Sequence, residues 1–157
     1  MLNSRGDYKF AVLSGLLLLV AFAPRNARAT LGETESTVQS DVAELQASIK
    51  TSTDRVSYRV HEIQMPSGTV LREFVSLDGH VFAVAWHGPY MLNLRPVLGR
   101  YFDSYVAAAN QNLIDRHHLQ IQQSDLVMQV RGHMRSFTGR AYLPAAVPEG
   151  VNPGELQ

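Results

Sequence analysis

Residues 56–87 decide the fold, and they read VSYRVHEIQMPSGTVLREFVSLDGHVFAVAWH. Two turn signals, Pro-Ser-Gly at 66–68 and Asp78-Gly79, separate three runs rich in β-branched and aromatic residues. The sequence therefore predicts an antiparallel meander, with strands at 56–65, 69–76 and 80–87. In the first strand the apolar alternation changes phase, which indicates either a bulge or a strand covered on both faces. The two phases consist of Val56, Tyr58 and Val60, followed by Ile63 and Met65.

Helix and strand patterns continue on both sides of this meander. Residues 32–50 have the spacing of an amphipathic helix, with apolar Val38, Val42, Leu45 and Ile49 on one stripe, and residues 52–54 end it. Asn93 is placed to cap a second helix, and two more strands are predicted at 125–131 and 134–143. The elements predict an α+β fold in which two helices pack on a small antiparallel sheet of about five strands. That sheet would combine the three-strand meander with a carboxyl-terminal hairpin.

The first 29 residues have the pattern of a signal peptide. Arg5 and Lys9 precede an apolar run at 10–23, and the small-x-small site Ala27-Arg28-Ala29 would leave Thr30 as the first mature residue. The run is shorter than the roughly 20 residues that a helix needs to cross a bilayer. We therefore expect cleavage between Ala29 and Thr30, and export through the general secretory route to the periplasm or beyond. An uncleaved amino-terminal anchor is the alternative.

Cleavage would leave one domain at 30–144 and a Pro/Gly-rich carboxyl-terminal tail at 145–157, which we expect to lie on the surface or fray. The chain has 14 basic and 14 acidic residues, and more basic than acidic ones lie in the leader, so the remainder is acidic overall. That balance argues against nucleic acid or an anionic membrane as the main partner. The chain has no cysteine, which excludes disulfides, thiol nucleophiles and thiolate metal ligands.

No motif for catalysis, for a cofactor or for a metal is recognisable, and we expect none of the three. The histidines lack the spacing of a metal site. If several of them cluster, they would form a pH-sensitive patch. They are His61, His80, His87, His117, His118 and His133.

Two segments are candidates for a binding surface. Trp86, His87 and Tyr90 place aromatic and polar groups where a strand ends, although core packing is the simpler interpretation of the tryptophan. A basic stripe in the last strands could hold a carboxylate or a phosphate on one face, the alternative being the wet face of an antiparallel sheet. The stripe consists of Arg131, His133, Arg135 and Arg140.

The sequence is also compatible with two other functions. Glu62 and Glu73 could face each other across the first hairpin and, with a histidine, form an envelope hydrolase acting on a glycan or peptide. Exposed edge strands could instead support a self-assembling structural protein.

Four blocks of the chain resemble an uncharacterised exported bacterial family, domain of unknown function twenty-eight forty-four. They are VHEIQMPSGTV at 60–70, REFVS at 72–76, VFAVAW at 81–86 with Gly88-Pro89, and GHMRSFTGRAYLP at 132–144. The resemblance extends from about Leu31 to the carboxyl end. It implies an exported protein of the bacterial envelope and no particular activity. The leading hypothesis is therefore a non-catalytic periplasmic or secreted accessory domain, whose partner is an envelope protein or a small acidic ligand.

Overall fold

Seven antiparallel strands in a computed structural model form one sheet, and helices cover one of its faces. The structure describes residues 31–111 and 118–157; the predicted leader with its Ala29–Thr30 cleavage site, and His117, lie outside the described residues. The helices are α1 Thr37–Glu44, α2 Leu94–Leu98 and α3 Phe102–Gln111. The strands are β1 Ser48–Asp54, β2 Tyr58–Gln64, β3 Val70–Ser76, β4 Val81–Gly88, β5 His118–Gln122, β6 Val127–His133 and β7 Ser136–Tyr142.

The strand order is β1-β2-β3-β4-β7-β6-β5. Strands β2, β3 and β4 are the predicted meander, and β6 with β7 is the predicted hairpin, so the α+β prediction is confirmed. The prediction of about five strands is wrong, because β1 and β5 extend the sheet by one strand at each edge. The two groups of strands join where β4 pairs with β7, for example at His87 and Thr138.

The predicted helix at 32–50 is only partly correct. Its first part exists as α1, and Val38, Val42 and Leu45 pack in the core as their spacing predicts. The chain then turns at Gln46, where φ is 51°, and continues as the edge strand β1, which includes the predicted helix break at 52–54.

The second predicted helix begins where the sequence places it. The Asn93 side chain accepts a hydrogen bond of 3.2 Å from the Arg95 amide. The helix is interrupted at Gly99, whose φ of 49° favours glycine, and a 3-10 turn at Gly99–Tyr101 connects α2 to α3.

The two faces of the sheet have separate apolar clusters. All three helices pack on one face, here called the helix face, whose core includes Ile63, Leu71 and Trp86. The opposite face, here called the tail face, has a smaller cluster of Phe74, Phe82, Ala83, Ala85 and Leu156. Tyr58 and Val60 pack against that cluster. The phase change in β2 therefore marks a strand covered on both faces, whereas the bulge in its pairing lies in β1, between Ile49 and Thr51.

The sequence predicts that the tail at 145–157 lies on the surface or frays, and the structure shows an ordered tail that lies largely on the surface. Short 3-10 turns form at Pro144–Ala146 and Pro153–Glu155, and Leu156 is only 2% exposed. The tail therefore contributes to the fold, because Leu156 completes the apolar cluster of the tail face.

Candidate functional site

A row of polar side chains crosses four strands of the tail face. Residues directly opposite each other in antiparallel strands have their side chains on the same face. His118 pairs with Arg131, Arg131 with Thr138, and Thr138 with His87. These four residues, here called the cross-strand row, are all exposed. Pairing alone therefore brings two histidines and an arginine from β4, β5 and β6 into one line.

A groove lies beside this row. It has a volume of about 460 Å³, and its lining includes Arg131, Thr138 and His87 of the row. The neighbouring line of pairs adds Arg140 and Arg72 on either side of the small Ala85. The tail closes one side of the groove at Gly154, Leu156 and Gln157. We call this concavity the tail-face groove.

Two of its three arginines hold the tail in place. Arg140 Nη1 donates to the carbonyl oxygens of Pro153, at 2.9 Å, and Gly154, at 3.0 Å. Arg72 Nη1 donates to the Gln157 carbonyl oxygen at 2.8 Å. Arg72 Nε also donates to Glu62 Oε2 at 3.0 Å. At least two hydrogen bonds from each of these two guanidinium groups are therefore already made within the protein.

Arg131 differs from the other two arginines. Its side chain is exposed, and it makes no side-chain hydrogen bond or ion pair with another residue in the described ranges. None of the strands β4, β5, β6 and β7 contains an aspartate or a glutamate. The acidic residues of the sheet are on the other strands, where Glu62 is paired with Arg72. The tail face is therefore electropositive around Arg131.

Only some of the residues that the sequence predicts for a binding surface line the tail-face groove. Trp86, His87, Arg131 and Arg140 all line the tail-face groove. The Trp86 side chain is only 3% exposed and packs in the helix-face core, so core packing is confirmed for it. It lies against Gly139, where an added Cβ would overlap the indole ring.

The other predicted residues lie outside the groove. Tyr90 follows β4 and is 59% exposed. Arg135 is in the turn between β6 and β7, where its φ of 61° takes it out of the predicted alternation. His133 belongs to an adjoining hollow of about 420 Å³, which it shares with His118, Arg131 and Ser136.

The sequence reasoning missed Arg72, Gln129, Thr138 and His118 as members of this surface. Gln129 and Thr138 lie two residues before Arg131 and Arg140 in the same strands, so alternation along β6 and β7 could have found them. Arg72 and His118 join the surface through strand pairing alone, Arg72 opposite Ala85 and His118 opposite Arg131. No local spacing in the sequence signals that pairing.

A second polar cluster fixes the segment before α1 to the sheet. His61 Nε2 and Glu35 Oε1 are hydrogen-bonded at 2.7 Å, and His61 Nδ1 and Ser52 Oγ also at 2.7 Å. Arg59 Nη1 donates to Glu35 Oε1 at 2.9 Å, and this bond is the main reason that the pKa of Glu35 lies below its ordinary value. The neighbouring cavity has a volume of about 200 Å³, and its lining includes Glu35 and Asp54. Neither the Ser52 hydroxyl nor the His61 ring lines this cavity, so the hydrogen-bonded serine and histidine do not face a space that could hold a substrate. We therefore assign this cluster a structural role.

The carboxylate pair expected for a hydrolase does not form. Glu62 pairs with Arg72 and Glu73 pairs with His61, so the two glutamates lie on opposite faces of the sheet. Glu73 is fully buried on the helix face. The prediction that they face each other across the hairpin is therefore wrong, because a difference of one residue in register reverses the face.

Neither a metal site nor a membrane-spanning helix is present in the described ranges. No group of three or more histidine, aspartate or glutamate side chains there is arranged to hold a metal ion. The helices in the same ranges are all too short or too polar to cross a bilayer.

Fold and groove together define an α+β protein with a seven-stranded antiparallel sheet and a cationic groove on its helix-free face. The family model described as protein of unknown function (DUF2844) matches residues 27–156, and the chain belongs to that family. No curated protein and no solved structure matches the chain.

Proposed function

We propose that the protein is an exported, non-catalytic binding domain whose tail-face groove holds an anionic group of its ligand at Arg131. The single observation behind this is the exposure of Arg131 on strands that contain no acidic residue. A guanidinium group presents its donors in a planar fork that matches a carboxylate or a phosphate.

The surroundings of Arg131 favour an anion over a cation or a neutral ligand. Thr138, its partner across the sheet, adds a hydroxyl group to the same face. Arg140 and Arg72 line the same groove and raise its potential, although their hydrogen bonds go to the tail. A binding role is also supported against the hydrolase alternative, because Glu73 is buried and Glu62 is engaged by Arg72.

Export is supported by the leader pattern at 1–29 and its cleavage site before Thr30. Expression of the full chain in a bacterial host, fractionation and amino-terminal sequencing test it directly. We expect the protein outside the cytosol, beginning at Thr30. Full-length protein retained in the cytosol would contradict this part of the proposal.

Binding is tested with pyrophosphate as the probe, by calorimetric titration of the purified protein. Arg131→Gln keeps a polar side chain at this position but shortens it and removes its charge. A hydrogen bond to a charged group contributes about 1.5–3 kcal/mol, so affinity should fall by roughly tenfold to a hundredfold. Arg55→Gln is the matched control, because Arg55 is equally exposed but lies between β1 and β2. Equal affinities of the wild type and Arg131→Gln would refute the proposed site.

A further inference from the structure

The cross-strand row is longer than a single small anion, and it runs across the strands of the sheet. Neighbouring strands lie about 4.8 Å apart, so the row from His118 to His87 spans about 14 Å. It runs across the strands rather than along them, through Arg131 and Thr138. Its four residues are exposed on the tail face, and their side chains are of types that carry hydrogen-bond donors.

Two further residues with hydrogen-bond donors, His133 and Ser136, extend the surface next to Arg131. His133 pairs with Ser136, and both line the hollow that also includes His118 and Arg131. The tail-face groove and this hollow meet at Arg131 and Thr138, which line both. The open surface is therefore continuous from β4 to β5. It contains Arg131 and three histidines, which are His87, His118 and His133.

We propose that this surface binds an extended anionic polymer, whose successive phosphate or carboxylate groups lie along the cross-strand row. This rests on the proposed function, since Arg131 holds one of the anionic groups. A single anion occupies Arg131 alone, whereas a repeating anion also meets His118 and His87, one strand and two strands away. The small Ala85 at the groove leaves room for the chain of the polymer.

The histidines add a dependence on pH to this binding. Imidazole is the side chain that changes charge between about pH 5 and pH 8, so acidification adds positive charge beside Arg131. The other charged or titratable side chains that line this surface are His133 of β6, Arg140 of β7 and Arg72 of β3, whose partner is Glu62. In the tail, Glu155 lies between the lining residues Gly154 and Leu156. Strands β4 to β7 contribute no carboxylate. Binding should therefore strengthen as the pH falls.

The test compares ligand length and pH with the purified full chain at constant salt. Long-chain polyphosphate and pyrophosphate are titrated at about pH 8 and about pH 5.5, and polyglutamate is the carboxylate counterpart. We expect the long chain to bind more tightly than pyrophosphate, and its affinity to rise roughly tenfold or more on acidification. Preference for polyphosphate or for polyglutamate identifies the anionic group, and either preference supports the proposal.

Variants test whether the pH dependence of binding comes from the histidines of the row or from other histidines of the protein. The double change His87→Gln with His118→Gln should remove most of the increase in polyphosphate affinity between about pH 8 and about pH 5.5. The single change His118→Lys places a permanent positive charge in the row. We therefore expect this variant to bind polyphosphate tightly at both pH values, with a smaller difference between them. His80→Gln is the matched control, since His80 is exposed near the turn between β3 and β4. Circular dichroism establishes that each variant is folded.

The outcomes distinguish this inference from the proposed function. If the long chain binds no better than pyrophosphate, or the double variant keeps the full pH dependence, the polymer surface is refuted. The proposed function survives that result as long as Arg131→Gln still weakens pyrophosphate binding. If the wild type binds no anion at either pH, both proposals fail.

Discussion

Replacing Leu156 with alanine tests whether the tail belongs to the folded core. The leucine is 2% exposed and packs with Phe74, Phe82, Ala83 and Ala85. Truncation removes three buried methyl or methylene groups, worth about 0.8 kcal/mol each by transfer. Buried leucine-to-alanine changes cost about 2–5 kcal/mol, and the value rises with the cavity that remains. The end of the chain can move into that cavity, so we expect the lower limit, about 2 kcal/mol.

Equilibrium unfolding in urea measures this loss. With an m-value of about 2 kcal/mol/M for a domain of this size, the midpoint should fall by roughly 1 M without a change of slope. Leu77→Ala is the matched control, because it makes the same chemical change at a side chain that is 78% exposed. It should alter stability by less than about 0.5 kcal/mol. If both variants unfold at the midpoint of the wild type, Leu156 is not packed and the tail contributes nothing to the core.

Two further predictions concern the support of the groove and the segment before α1. Gly139→Ala inserts a methyl group into the space of the Trp86 indole and should cost about 1–3 kcal/mol in thermal unfolding. Gly154→Ala is the control, because its methyl group meets only the exposed Asn152 side chain, and equal effects of the two changes would contradict the close contact at Trp86. The pKa of Glu35 is lowered in the fold from an ordinary value of 4.5, so its stabilisation is complete above that pH and is lost as the pH falls through the folded value. Glu35→Gln should therefore flatten the acid limb of a stability-against-pH curve, and Glu33→Gln, an exposed control, should leave it steep.

The central strands could be predicted because their signals are local. Strands β2 to β4 have strong apolar runs, and the tight turns between them, including Asp78-Gly79, are encoded by neighbouring residues. The cap at Asn93 is equally local, since its side chain bonds to an amide two residues away. Such features depend little on the rest of the molecule, and this is why the structure confirms them.

The edge strands could not be predicted for the opposite reason. Strand β1 reads SIKTSTD and has one apolar residue, Ile49. That residue continues the helical spacing of Val38, Val42 and Leu45, so periodicity alone extends the helix past its real end. An edge strand is stabilised by pairing with its neighbour, here β2, and this partner is not visible in a pattern of single residues.

The candidate site was partly accessible from the sequence. Arg131 and His133 alternate along β6 and do share a face, whereas the turn at Arg135 ends the alternation. Thr138 and His118 enter the site through pairing of β6 with β7 and β5. His87 joins them through the pairing of β4 with β7, which are some fifty residues apart in sequence. Non-local pairing therefore builds the row.

The overall acidity of the chain beyond the predicted leader does not oppose an anionic ligand, because the charges are separated within the sheet. Acidic residues are present in β1, β2 and β3, and none is in β4 to β7. At physiological ionic strength the Debye length is about 8 Å, less than two strand spacings. Exposed carboxylates on the far strands are therefore largely screened at Arg131, and Glu62 of the tail face is neutralised by Arg72. A ligand at the cross-strand row responds to the local positive charge, so net charge alone is a poor guide to the partners of this protein.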